Sequence, residues 1–178
     1  MTEGELVETL NAAFSALEQV VDQDWSLPAG SLAWTCWQTI DHTIDCVHSF
    51  ALQIAAEADG GFLPLAPMHA EVTASPADLL RCLRGVSALL VAVARECPQD
   101  RTASDGIVIL NIADWRARAA YEVVLHTYDV VIGLGGSFSV SDRLAASIIE
   151  SEVLWMFDRR RPQGAPDSWM GLVEGSGR

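Results

Sequence analysis

Glu122-Val123-Val124-Leu125-His126-Thr127-Tyr128-Asp129 is an apolar run interrupted by ionisable side chains, and Val130, Val131 and Ile132 carry the apolar character onward. Ionisable groups are expensive to bury without partners. Here they fall at i, i+4 and i+7, which places all three on one stripe of a helix. A buried stripe of two carboxylates and an imidazole needs a counter-charge, and one divalent metal ion meets that need. Glu and His are suitable ligands for zinc or a related first-row metal, and three protein ligands with one open position make a working site. Glu122 and His126 are the two ligand candidates on this segment, so a further ligand has to come from elsewhere. Asp129, three residues beyond His126, is placed to accept a hydrogen bond from the imidazole and orient it, or to act as a base.

Working outward, five helical segments are predicted, separated by short Gly/Pro/Ser punctuation, and no segment reads convincingly as a strand. The first runs from about Thr2 to Asp22, opens on a Thr2-x-x-Glu5 capping box and lines up Leu6, Leu10, Phe14, Leu17 and Val21. The second spans about Thr35 to Ala58 and stops at Asp59-Gly60-Gly61. Its apolar stripe is Ile40, Ile44, Val47, Ala51 and Ile54, while His42, Cys46, Ser49 and Gln53 form another stripe. By that pattern alone His42 faces solvent. Ser75-Pro76-Ala77-Asp78 starts a third helix that Pro98 ends. The fourth covers about Ile112 to Leu134 and contains the decisive stretch. Ser141-Asp142 begins a fifth, expected to reach about Asp158, and 159–178 is expected to be an irregular Pro/Gly-rich tail. Long helices with short connections imply an antiparallel bundle in one domain over 1–178.

Composition narrows the class of partner. The 178 residues, half of them hydrophobic, are enough for one domain with a proper core. Asp and Glu total 24 against 11 basic residues, a formal charge of −13, which argues against nucleic acid and against anionic lipid. Every basic residue is arginine, a bias expected of a GC-rich bacterial genome. Neither a secretory signal nor a membrane-spanning stretch is legible, so a cytoplasmic location is the expectation. Cys36, Cys46, Cys82 and Cys97 show no CxxC spacing. They read as small packing residues, with Cys46, four residues after His42, a possible extra or substitute ligand.

With Glu122, His126 and a histidine early in the second segment in view, the chain resembles the DinB/YfiT-like superfamily of metal-binding helical bundles. More closely it is similar to the N-terminal, metal-binding domain of mycothiol-dependent maleylpyruvate isomerase. The matching pieces are Trp34-Thr-Cys-Trp37-Gln-Thr-Ile-Asp-His42, Glu122-x-x-x-His126-x-x-Asp129, and the closing Trp169-Met-Gly-Leu172 and Gly177-Arg178. The resemblance implies an all-α, DinB-like antiparallel four-helix bundle with an additional C-terminal helix. It also implies a divalent metal held by His42, Glu122 and His126, with zinc the usual ion and nickel or iron the alternatives. Mycothiol, an actinobacterial thiol, is the cosubstrate that follows, and a small-molecule electrophile its reaction partner. Where many members carry Pro-Gly-Trp, this chain has Thr35-Cys36-Trp37. The likeness is to one domain of the isomerase, so that enzyme's particular reaction is not carried over.

Each candidate has an ordinary alternative. Glu122 can pair with Arg118, and His126 can be a neutral core histidine. Trp34, Trp37 and Trp115 are candidates for a pocket wall, though Trp at a helix entry is commonly packing. Arg116 and Arg118 are placed to receive an anionic substrate or to form a solvated face; Trp37 and Arg118 are the substrate-binding candidates. His48 reads as surface, and His69 as a loop residue near a site mouth. Arg159-Arg160-Arg161 complements the end of the fifth helix. Three functional readings follow: thiol-dependent transfer or isomerisation, metal-dependent hydrolysis, and a non-catalytic bundle acting as a homodimer or stress-response protein.

Overall fold

A computed structural model describes residues 1–151 and 168–178. The chain is mostly helical. Its elements are α1 (Glu3–Gln19), α2 (Cys36–Ala55), α3 (Pro76–Glu96), a hairpin of β1 (Thr102–Ser104) and β2 (Ile109–Asn111), α4 (Ile112–Gly133), α5 (Asp142–Ile149) and α6 (Trp169–Gly175).

Local chemistry sets the helix starts. Thr2, Thr35 and Ser75 cap α1, α2 and α3, each in a reciprocal capping box with Glu5, Gln38 and Asp78 respectively. Asn111 caps α4 and Ser141 caps α5 through side chains that accept amides of the first turn. Each such cap satisfies donors that the helix itself cannot, and contributes about 1 kcal/mol.

The four long helices pack in a closed circuit: α2 against α3 and α4, and α1 against α4 and α3. The core is one cluster, with Leu6, Leu17, Ile40, Ile54, Leu79, Leu83, Trp115, Tyr121 and Leu125 among its fully buried side chains. Each large apolar side chain so buried contributes roughly 1.5–3 kcal/mol. α4 is the innermost helix, buried on nearly every side between α1, α2, α5 and β2. That burial makes its polar residues informative, since each one needs a partner.

The structure corrects the sequence-based expectations in three places. A hairpin is present where no strand was expected, in the connection between α3 and α4. Thr102, Ala103 and Ser104 pair antiparallel with Asn111, Leu110 and Ile109. Its turn is built by Asp105, whose Oδ1 accepts the amides of Ile107 and Val108, and by Gly106 at φ 94°. Strands of three residues are too short to display an alternating pattern. The fifth helix ends at Ile149 instead of running on; residues 152–158 and Arg159-Arg160-Arg161 lie outside the described residues. The tail is not wholly irregular either, because Ser168 caps α6, whose Trp169 stacks edge-on against Tyr128 and Phe138. Among the described residues no helix is long and apolar enough to cross a membrane.

The segment 20–35 joins α1 to α2 and carries Trp34 towards the site. Trp25 donates its indole N–H to Val20 O, and Pro28 bridges to Thr35. Gly133 lets this segment lie against α4: a Cβ there would stand 2.4 Å from Pro28 O and 2.7 Å from Gly30 N.

Candidate metal centre

α4 delivers Glu122, His126 and Asp129 on one stripe, and α2, packed against it, delivers His42. The stripe argument that pointed His42 outward fails because α2 has two packed faces, one on α3 and one on α4. His42 sits on the α4 side, half-buried, with its ring edge-on to that of His126 at 5.4 Å between centroids. Trp34 packs on the other side of the His42 ring, 4.8 Å between centroids.

One ligand atom from each of His42, Glu122 and His126 lies within 4.8 Å of the others. Donors set tetrahedrally at about 2.0–2.2 Å from an ion stand roughly 3.4 Å apart. His126 Nε2 and Glu122 Oε2 are already 3.4 Å apart, so the donor set fits a small divalent cation with modest side-chain adjustment. The same three residues line a cavity of about 440 Å³ with Leu32, Trp34, Tyr121 and Arg178.

Behind His126 runs a polar chain. Its Nδ1 stands 3.3 Å from Asp129 Oδ2, and Asp129 is held by Arg178, whose Nε lies 2.9 Å from Oδ1 and whose Nη2 lies 2.8 Å from Oδ2. Asp129 is 2% exposed, so the guanidinium is what makes its charge tolerable in the interior. An imidazole that gives its Nδ1 proton to a carboxylate presents a free Nε2 lone pair on its opposite edge, towards Glu122.

The ionisation states follow from these neighbours. Burial, then the adjacent His126, pushes the His42 pKa below the usual histidine range. For His126, burial works against the charged form, but hydrogen bonds to Asp129 and Glu122 prevail and hold it above that range. Asp129 is held low, because His126 and Arg178 outweigh the burial that opposes ionisation. The Cys46 thiol is pushed well above the ordinary range by burial and then by Glu122. It lies 3.4 Å from His42 Nε2, beside the donor set.

The other candidates fall as follows. Arg118 lies beside the centre, with Nη2 at 3.9 Å from Glu122 Oε1, so the anticipated pairing within α4 exists alongside the donor cluster. Trp37 is not brought to the cavity; its indole N–H donates to Ala74 O at the approach to α3. Trp115 is core, against Phe50, and Arg116 is buried rather than solvated, donating to Ala94 O and Gln99 Oε1. His69 binds Asp41 at 2.8 Å on the outer side of α2 instead of reaching the centre. The residue whose role sequence reasoning missed is Arg178. It lies 49 positions from Asp129, in a segment without periodicity, and only the placement of α6 brings it in.

The class these features define is a mostly helical protein with a partly buried His–Glu–His cluster backed by an Asp–Arg pair. No family model matches the chain, and no curated protein matches it.

Proposed function

We propose that the chain is a DinB/YfiT-like four-helix bundle that binds one divalent metal ion through His42, Glu122 and His126 and serves a thiol-dependent transfer or isomerisation, with mycothiol as the thiol. The observation that carries this reading is the convergence of two imidazoles and a carboxylate, from two helices, on one point beside a cavity. Zinc is the ion we expect, with nickel or iron the alternatives. When bound, such an ion supplies Lewis acidity that lowers the pKa of water or of a thiol at its open side. The protein's own part is positional. Asp129 and Arg178 fix the His126 tautomer, Trp34 steadies the His42 ring, and Arg118 faces the second oxygen of Glu122.

The cavity chemistry favours a reactant that brings its own nucleophile. Among its described lining residues every carboxylate and imidazole belongs to the donor set. Of the acids near the centre, Asp129 is buried and engaged by Arg178, Asp45 accepts the Met68 amide, and Asp41 accepts the Ala70 amide and pairs with His69, which leaves none placed as a free base for water. This supports thiol chemistry over hydrolysis.

Metal analysis tests the reading directly. Protein purified without added ions, or titrated with zinc against a chromophoric chelator, is expected to bind one equivalent, and His126→Ala to lose it. A wild-type protein that takes up no ion ends the proposal. In a cobalt-loaded sample, a visible spectrum unmoved by millimolar thiol removes the thiol step.

A further inference from the structure

A second cavity, of about 600 Å³, adjoins the donor cluster without containing any of its three residues. Cys46 and Arg118 form the partition. The first lies 3.4 Å from His42 Nε2 and the second 3.9 Å from Glu122 Oε1, and both line the larger cavity. The remaining walls are mainly apolar, with Phe50, Leu52, Phe62, Leu63 and Leu65 prominent. The volume lies within the roughly 300–1,000 Å³ of pockets that take small organic molecules.

The cavity is preformed. Its outer wall belongs to the segment 61–75, which has no regular structure but is fastened to α2 by side chains. Gln53 accepts from Leu63 N and donates to Gly61 O; Asp45 Oδ1 accepts from Met68 N; Asp41 Oδ1 accepts from Ala70 N. That fastening holds two large apolar side chains in water at the rim, Phe62 and Leu65, each 63% exposed. Both stand at the mouth of a mainly apolar cavity, where a ligand's apolar body would cover them.

Arg118 is the single guanidinium among the described residues of the cavity wall. Among the described residues its nearest carboxylates, Asp105 Oδ2 at 4.0 Å and Glu122 Oε1 at 3.9 Å, are both beyond hydrogen-bonding distance, and its buried Nε has no hydrogen-bond acceptor. Charge-assisted contacts to an oxyanion close to about 2.8 Å, so this guanidinium has bonding capacity that its neighbours leave unused. The acids facing it are otherwise occupied. Asp105 Oδ1 takes the amides of Ile107 and Val108, Asp45 takes Met68 N, and Glu122 belongs to the donor cluster.

From this arrangement we infer that the cavity binds an organic monoanion with an aromatic or branched apolar body, its acid group on Arg118 and its body against Phe50, Leu63 and Leu65. The inference deepens the reading above and rests on it for one point, that the ligand is the reactant presented to the metal centre. It also fixes a linkage. A cation at the donor cluster offsets the charge of Glu122, so the anion and the metal each tighten the binding of the other by the same factor.

The test uses 8-anilinonaphthalene-1-sulfonate and its uncharged counterpart N-phenyl-1-naphthylamine, read by fluorescence on the full chain, with zinc affinity measured separately by chelator competition. One equivalent of the sulfonate is expected to bind. Arg118→Gln should weaken it at least tenfold while leaving the neutral probe within twofold, and Ser49→Trp, which fills the cavity, should abolish both. Ala66→Trp, on the opposite wall, repeats the filling test should Ser49→Trp lose its helical circular dichroism. Zinc loading should tighten the sulfonate several-fold. Equal sulfonate binding by wild type, Arg118→Gln and a folded cavity-filling variant overturns the inference, as does no binding by the wild type. Failure of zinc to bind, with the Arg118 effect intact, overturns the metal reading and leaves the anion pocket standing.

Discussion

Asp129→Asn separates the charge at position 129 from its shape. In the wild type the carboxylate meets Arg178 at 2.8–3.0 Å and His126 Nδ1 at 3.3 Å, with its side chain 2% and that of Arg178 12% exposed. An amide keeps one acceptor oxygen but offers no charge to either neighbour. Removing one partner of a buried pair costs about 3–5 kcal/mol, and the retained acceptor puts this case at about 2–3 kcal/mol. At about 2–4 °C per kcal/mol for a chain of this length, the apoprotein should melt roughly 5–10 °C lower. The larger consequence falls on His126. Loss of the carboxylate behind a ligating imidazole typically lowers metal affinity about 10–100-fold, or about 1.4–2.8 kcal/mol. Chelator competition reads the second quantity and a circular-dichroism melt the first. Arg178→Gln discriminates the two roles: it should lower the melting temperature comparably, yet cost less metal affinity, because the Asp129–His126 contact survives. A zinc affinity in Asp129→Asn within twofold of wild type would refute the reasoning that Asp129 orients a ligand.

Two further outcomes follow from packing and charge. Gly133→Ala drives a methyl group onto backbone atoms of Pro28, Ala29 and Gly30, which cannot rotate away, so a loss of about 1–3 kcal/mol and a melting temperature lower by several degrees are expected; an unchanged melt would mean that the 20–35 segment yields freely. The Glu5 carboxyl is held below its usual range, chiefly by the Thr2 amide and hydroxyl, with burial opposing and the Ser147 hydroxyl assisting. A depressed folded pKa gives stability that is present above the unfolded value near 4.5 and is lost as pH falls through the folded value. The melting difference between wild type and Glu5→Gln should therefore be full at pH 6 and close as pH falls from 4.5 through the lower folded value; a difference constant from pH 6 into strong acid would assign the loss to something other than charge.

Much of this architecture is legible residue by residue, because helix starts are local. Thr2 with Glu5, and Ser75 with Pro76 and Asp78, announce themselves in the sequence, and the structure caps α1 and α3 on them. The Glu122/His126/Asp129 stripe is equally local, since one helix carries all three. What was not legible depends on tertiary choice. His42 looks solvent-facing when α2 is allotted a single buried stripe, and becomes interior only once α2 is flanked by both α3 and α4. Arg178 joins the centre through the placement of α6, which no spacing encodes. The hairpin lay below the length at which alternation shows, although Asp105-Gly106 is a turn signal in its own right. Trp37 and Trp34 illustrate the same limit: three residues apart, one reaches Ala74 and the other the cavity.

α2 bears His42 on the side that meets α4, and Asp41, Asp45 and Gln53 as the anchor points for the strap at 61–70. Strap and His42 are thus mounted on the same beam and share its displacements. A strap fastened at three places along such a support cannot swing as a flap. Entry to the larger chamber therefore runs past Phe62 and Leu65 at its rim, where the motions available are side-chain rotations on the nanosecond scale rather than a backbone hinge.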